Sequence, residues 1–190
     1  MITYYPTIEP LESRIAPATF TVTTIVDSSD VAHDTGSFRD ALALADAHPG
    51  PDTIVFHLPA PPLHSENIIT LSGVELTSKG NVTITGPGAG KLIIDGNGTS
   101  RVFDINDGVA GTDSPTIISG LSIVNGSLGN AGGGIYSAES LTLKKVVISG
   151  NAATFGGGVD VFGDAAAGTK VSISNALVRP AMARPSNICG

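Results

Sequence analysis

The 190-residue chain has no tryptophan, one cysteine, and only ten lysines and arginines. A single cysteine, Cys189, excludes an internal disulfide framework and says nothing about redox compartment. The few basic residues are scattered, only Lys144 and Lys145 being adjacent, and the formal charge is −7. That balance argues against nucleic acid and anionic membrane as partners, because neutralising phosphate takes clustered cations. No run approaches the roughly 18 apolar residues of a spanning helix, so no transmembrane segment is expected. Met1 to Pro17 has no basic residue before Arg14 and no apolar stretch, so a standard signal peptide is missing as written. Either the start lies elsewhere or export uses another signal.

What is present points to turn-rich β-structure: 24 glycines, 41% hydrophobic residues and only 14% charged ones. Residues 1–17, with Pro6, Pro10 and Pro17, read as a leader or linker. A first strand is expected over Thr19 to Val26, where β-branched residues alternate before Asp27-Ser28-Ser29-Asp30. One helix is expected, Ser37 to His48. Phe38, Ala41, Leu42 and Ala45 fall on one stripe, Ser37 caps with Asp40 three residues on, and Pro49-Gly50 ends it. After it come short β-runs: Thr53–Leu58, Ile68–Leu71, Val74–Leu76, Asn81–Thr85, Leu92–Ile94, Val102–Ile105, Thr116–Val124, Ile135–Tyr136, Leu141–Ile148, Val159–Phe162 and Val171–Val178.

These runs repeat. A shift of 25 residues lays Ile118, Leu121 and Ile123 on Leu143, Val146 and Ile148, and a further 30 places Ile173, Ala176 and Val178 beneath them. Ile84 and Ile94 lie above Ile118 and Ile123. Two inward stacks are therefore expected: Ile84, Ile118, Leu143 and Ile173, and Ile94, Ile123, Ile148 and Val178. A third column aligns Ile105, Ile135 and Val159, with Gly132-Gly133-Gly134 and Gly156-Gly157-Gly158 before the last two as repeated corners. Coils of this length with three short strands describe an all-β solenoid, and parallel crossovers are right-handed. The fold class expected is a right-handed parallel β-helix over residues 18–178 with a capping helix at 37–48. Residues 179–190, with Pro180 and Pro185, continue no column and read as a truncated or out-of-frame tail.

Three motifs carry a resemblance: Gly36-Ser37-Phe38-Arg39-Asp40-Ala41-Leu42 with Pro49-Gly50-Pro51-Asp52-Thr53-Ile54-Val55-Phe56; Val82-Thr83-Ile84-Thr85-Gly86-Pro87-Gly88; and the Gly-Gly-Gly-Ile and Ser149-Gly150-Asn151 units. With them, Thr19 to Val178 resembles bacterial extracellular right-handed parallel β-helix proteins, pectin-lyase-like in fold and including the polymorphic outer-membrane type. Leu11-Glu12-Ser13-Arg14-Ile15-Ala16-Pro17 resembles a leader element of planctomycete and verrucomicrobial exported proteins. The resemblance implies a secreted or cell-surface setting. It implies no single activity, since such folds serve adhesins, lyases and hydrolases alike.

Chemistry is harder to find. A glycoside hydrolase needs two carboxylates converging across rungs. The third-column alignment makes Asn106, Tyr136 and Asp160 equivalent and sets Asp104 over Gly134 and Gly158, so no carboxylate pair is expected. Asp95 stands over Val124 and Ser149 and reads as a turn residue of Asp95-Gly96-Asn97-Gly98. Asp104 and Asp107 read as solvated. Gly86 to Lys91 evokes a phosphate loop but has Leu92 where Ser or Thr must stand and precedes a strand. Gly156 to Asp164 evokes a calcium nonapeptide but has Val159 at a glycine position and no tandem copy. His33, His48, His57 and His64 lack metal-ligand spacing. Asn81-Val82-Thr83, Asn97-Gly98-Thr99 and Asn125-Gly126-Ser127 match a glycosylation sequon that turn chemistry also produces.

No catalytic, cofactor-binding or metal-ligating residue is therefore assigned. The expected function is a non-enzymatic extracellular module, a rigid stalk or adhesin segment. Its partner would be a cell-envelope component, a carbohydrate, or a host or neighbouring cell surface. The alternative is a piece of a polysaccharide lyase or glycoside hydrolase whose active-site coils lie outside the chain. The rung with Val171, Ile173 and Val178 has no evident cover, so self-association through it is expected.

Overall fold

A computed structural model describes residues 16–28, 35–63, 65–163 and 168–179. Among the described residues, fifteen short strands, most alternating in burial, wind into three parallel sheets. The chain forms β1 (Thr19–Val22), the helix α1 (Phe38–Ala47), and then coils of three strands. The first coil is β2 (Asp52–Phe56), β3 (Asn67–Thr70) and β4 (Leu76–Ser78). The second is β5 (Val82–Thr85), β6 (Leu92–Asp95) and β7 (Phe103–Ile105). The third is β8 (Thr116–Ser119), β9 (Ser122–Val124) and β10 (Ile135–Ser137), and the fourth β11 (Leu141–Lys144), β12 (Val147–Ser149) and β13 (Val159–Val161). β14 (Val171–Ser174) and β15 (Leu177–Val178) open a fifth. The order β1-β2-β5-β8-β11-β14 makes one sheet, β3-β6-β9-β12-β15 a second and β4-β7-β10-β13 a third. This is the right-handed parallel β-helix that the repeat implies.

Both expected stacks are in register. Ile54, Ile84, Ile118, Leu143 and Ile173 pair down the first sheet. Ile69, Ile94, Ile123, Ile148 and Val178 pair down the second. The first four of each column are fully buried, so each rung gains its hydrophobic contact from the rungs above and below.

The third column is not as the sequence suggests. Phe103, not Ile105, lies over Ile135 and Val159, while Ile105 lies over Ser137 and Val161. The error is a slip of two residues. Phe103 and Ile105 both point inward, and a slip of two keeps every side chain on its own face, so hydrophobic alternation cannot detect it.

Three runs expected to be continuous are each two strands. Residues 116–124, 141–148 and 171–178 break at Gly120, Lys145 and Asn175, which have φ of 65°, 53° and 50°. One left-handed residue followed by an apolar one (Leu121, Val146, Ala176) turns the chain from the first sheet to the second. Glycine and asparagine tolerate that conformation; lysine bears a cost of about 1 kcal/mol.

The helix begins as expected. Ser37 accepts the Asp40 N–H at 3.0 Å, and the Asp40 carboxylate reaches back to the Gly36 N–H at 2.9 Å. His48 ends it, its N–H donating to Leu44 and Ala45. Phe38, Ala41, Leu42 and Ala45 are buried against the first coils, Phe38 meeting Phe56 and Phe103 edge-on at 5.0 and 5.8 Å between centroids. Arg39 fastens the cap: it pairs with Asp27 at 3.0 Å and donates to the Glu75 carbonyl at 2.7 Å. Of the expected leader and tail, residues 1–15 and 180–190 lie outside the described residues.

Candidate functional site

Along a strand, alternate side chains leave the solenoid, so the middle residues of β4, β7, β10 and β13 form one outward row. Register makes that row Thr77, Asp104, Tyr136 and Asp160. Asp104 therefore lies beside Tyr136, which corrects its expected place over Gly134 and Gly158, and Asn106 leaves the row. Asp104 and Asp160 share one face two rungs apart, with Tyr136 between them.

The glycine triplets shape this row. Gly132 and Gly156 have φ of 62° and 53°, and a Cβ on Gly132 would lie 2.8 Å from the Tyr136 Cα, one on Gly156 2.6 Å from the Asp160 Cβ. Each triplet's first glycine is thus the corner that lets the chain fold back against the outward residue four positions on.

Arg101 underlies the row. Its buried guanidinium meets the Asp104 carboxylate at 2.7 Å and Glu75 at 3.5 Å, donates to the Ala131 carbonyl at 3.0 Å, and lies 4.8 Å from the centre of the Tyr136 ring. Burial raises the Glu75 carboxyl above its ordinary range, Arg101 pulls it back and Asp104 pushes it further up. Asp104 is thus an ion-paired residue rather than the solvated one expected. Beside it, Asn130, Ala131, Tyr136, Phe155, Asp160 and Phe162 line a depression of about 450 Å³.

A second carboxylate arrangement was also missed. Buried Glu139 accepts the Asp107 N–H at 3.2 Å and the Ser114 N–H at 2.8 Å, one on each oxygen. Asp107 accepts from the Val109 N–H at 2.7 Å, Thr112 Oγ1 at 2.8 Å and Ser114 Oγ at 3.0 Å. Hydrogen bonding, led by the Val109 amide, lowers the Asp107 pKa, while burial raises that of Glu139. Two neighbouring acids pushed in opposite directions can mark an acid/base pair. Here their oxygens are engaged in closing the 107–114 loop, so the pair reads as a clasp. Asp113 extends it, accepting both the N–H and the hydroxyl of Ser140 at 2.7 Å, and Ser140 Oγ accepts the Lys170 N–H at 2.7 Å.

Other sequence candidates resolve into local structure. Asp95 accepts the Asn97 N–H at 2.8 Å and the Asn125 amide at 3.1 Å, as a turn residue should. Gly86 to Lys91 is the corner before β6, where Gly88 donates to the Gly120 carbonyl at 2.7 Å. The sequon asparagines Asn81, Asn97 and Asn125 all have positive φ, which is turn chemistry. His48 Nδ1 lies 2.9 Å from Asp52 Oδ1 at the helix end, and His57 lines an exposed, proline-rich depression with Pro59, Pro61 and Pro87. His33, His64 and Asp164 lie outside the described residues. Among the described residues no three His, Cys, Asp or Glu side chains are placed to hold a metal ion, and no helix is long and apolar enough to cross a membrane.

The chain matches no protein-family model, no curated protein and no solved structure.

The missed residues Glu75, Arg101 and Asp160 share one cause. All act across rungs, and a two-residue slip in the third column separates them. Reading Phe103-Asp104-Ile105, Ile135-Tyr136-Ser137 and Val159-Asp160-Val161 as one repeating triplet would have found the row.

Proposed function

We propose that this chain is a non-catalytic β-helix module of a secreted or cell-surface protein, a rigid spacer or adhesin segment that offers its outer face to a partner. The observation that carries this reading is the use of its carboxylates. Asp27 takes the Ser72 amide at 2.9 Å, Asp46 that of Lys79 at 2.8 Å, Asp52 that of Ala18 at 2.8 Å, and Asp113 and Glu139 act likewise between coils. Acids employed as staples between chain segments are withdrawn from proton transfer, and each charge-assisted bond stiffens the solenoid. Among the described residues no rung lies below β14 and β15, and the same reading takes that face as the surface through which the isolated chain self-associates.

A carbohydrate-active enzyme is the second reading, favoured by the row Asp104, Tyr136, Asp160. Strands about 4.8 Å apart put the two acids near 10 Å, beyond the roughly 5–5.5 Å of a retaining pair and at the edge of an inverting one. Tyr136 stands between them in the row, and Asp104 is held by Arg101. Incubation with a broad panel of neutral and acidic glycans, read by reducing ends and by unsaturated products, should give no turnover. Turnover abolished by Asp104→Ala or Asp160→Ala would establish the enzyme reading instead.

A further inference from the structure

Tyr136, Phe155 and Phe162 are three of only nine aromatic residues in the chain, and they converge on one depression. Phe155 and Phe162 are 67% and 76% exposed, so neither contributes to the core. Large aromatics left in solvent around a concave surface mark a contact site more often than an accident of packing. Phe155 is placed by its bridge to Ala131 in the coil above, where its N–H donates to the Asn130 carbonyl at 3.0 Å. Phe162 is placed by donating its N–H to the Ser137 carbonyl at 2.9 Å. Backbone pairing between coils therefore fixes where both rings start.

Charge decides what such a site takes. Asp104, at 2.7 Å, and Glu75 offset the guanidinium beneath Tyr136. Asp160, next to Tyr136 in the row, makes no hydrogen bond or ion pair among the described residues. The depression therefore has aromatic walls, one uncompensated carboxylate and the amide of Asn130. A sugar ring would need several hydrogen-bonding partners around its rim. A compact organic cation needs ring faces and one negative charge. We propose that this depression binds an alkylammonium group, with Phe155, Phe162 and Tyr136 as its aromatic walls and Asp160 as its counter-ion. The inference goes beyond the non-catalytic reading and does not depend on where the protein resides.

Amide NMR titration of the whole chain tests it. Choline and a trimethyl-lysine peptide present the same cation from two sources, a lipid headgroup and a protein side chain, and the tighter binder names the source. Expected are saturable shifts at Asn130, Tyr136 and Asp160, with affinity reduced at least about tenfold for 3,3-dimethylbutan-1-ol, the uncharged isostere of choline. Asp160→Asn should cost a similar factor, and Phe155→Ala or Phe162→Ala about threefold or more each. Thermal unfolding of these variants should be unchanged, since Phe155 and Phe162 are exposed and the half-buried Asp160 makes no hydrogen bond or ion pair among the described residues, which separates loss of binding from loss of fold. The proposal is overturned if neither cation gives saturable shifts, if the neutral isostere binds equally, if Asp160→Asn leaves affinity intact, or if a neutral disaccharide binds where the cations do not.

Discussion

Ile148 and Val178 occupy the same column of the same sheet on neighbouring rungs, yet Ile148 is fully buried and Val178 is 44% exposed. Leu143 and Ile173 differ in the same way, 0% against 51%. Their sequence pattern is alike; what differs is that, among the described residues, no further rung lies below β14 and β15. The other end makes the contrast sharper, because there β1 pairs Phe20 with Ile54, α1 lays Phe38 and Leu42 over the first coils, and Ile54 keeps no exposed surface. In a solenoid the worth of an apolar side chain is set by its neighbours along the axis.

Placing a charge at each of the two positions is the strongest way to break this comparison. Ile148→Asp should destabilise by about 4 kcal/mol or more, because it buries an unpaired carboxylate between rungs, enough to unfold a marginal domain. Val178→Asp should cost less than about 1 kcal/mol. Urea denaturation followed by circular dichroism measures both, and equal losses would mean that the last rung is covered.

The next effect in size concerns association. Exposed Val171, Ile173, Leu177 and Val178, with the edges of β14 and β15 that no described strand pairs, should make the purified chain self-associate. Sedimentation velocity over a hundredfold concentration range should show this, and Ile173→Lys should return the chain to monomer. A wild-type monomer at every concentration would remove the self-association from the proposed function.

The smallest effect sharpens the comparison at the corners. Gly120, Lys145 and Asn175 make the same left-handed turn on successive coils, and only lysine is ill suited to it. Lys145→Gly should stabilise by roughly 0.5–1 kcal/mol in spite of the added chain entropy, whereas Asn175→Gly should be near neutral. The midpoint of thermal unfolding reads both.

The two isoleucine columns and the cap were legible because burial imposes a period on the sequence. Ile84 with Ile118 and Leu143, and Ser37 with Asp40, announce themselves through apolar spacing or cap chemistry. The third sheet was not legible in the same way. Phe103 and Ile105 satisfy the core equally, so the rung register there rests on hydrogen bonds and corner geometry rather than on hydrophobic spacing. The row of Asp104, Tyr136 and Asp160 was lost with it. Glu139 was invisible for another reason: its partners, the amides of Asp107 and Ser114, belong to a loop, and backbone donors leave no signature in side-chain identity. Lys145 hid the corner it makes, since a lysine between Lys144 and Val146 looks like the middle of a strand.

The parallel pairing has a mechanical meaning. Hydrogen bonds between rungs point along the solenoid axis, so a pull along that axis loads them in series, and the weakest rung yields before the others bear the strain. Among the described residues that rung is β14 with β15, which pairs on one side and has no helix laid over it. Each coil that peels away frees about 25–34 residues of chain, on the order of 100 Å of slack at full extension. Between failures the remaining coils keep their own contacts. A tether built this way lengthens in steps of similar size under load and shortens again coil by coil, with the capped end as the template on which it rewinds.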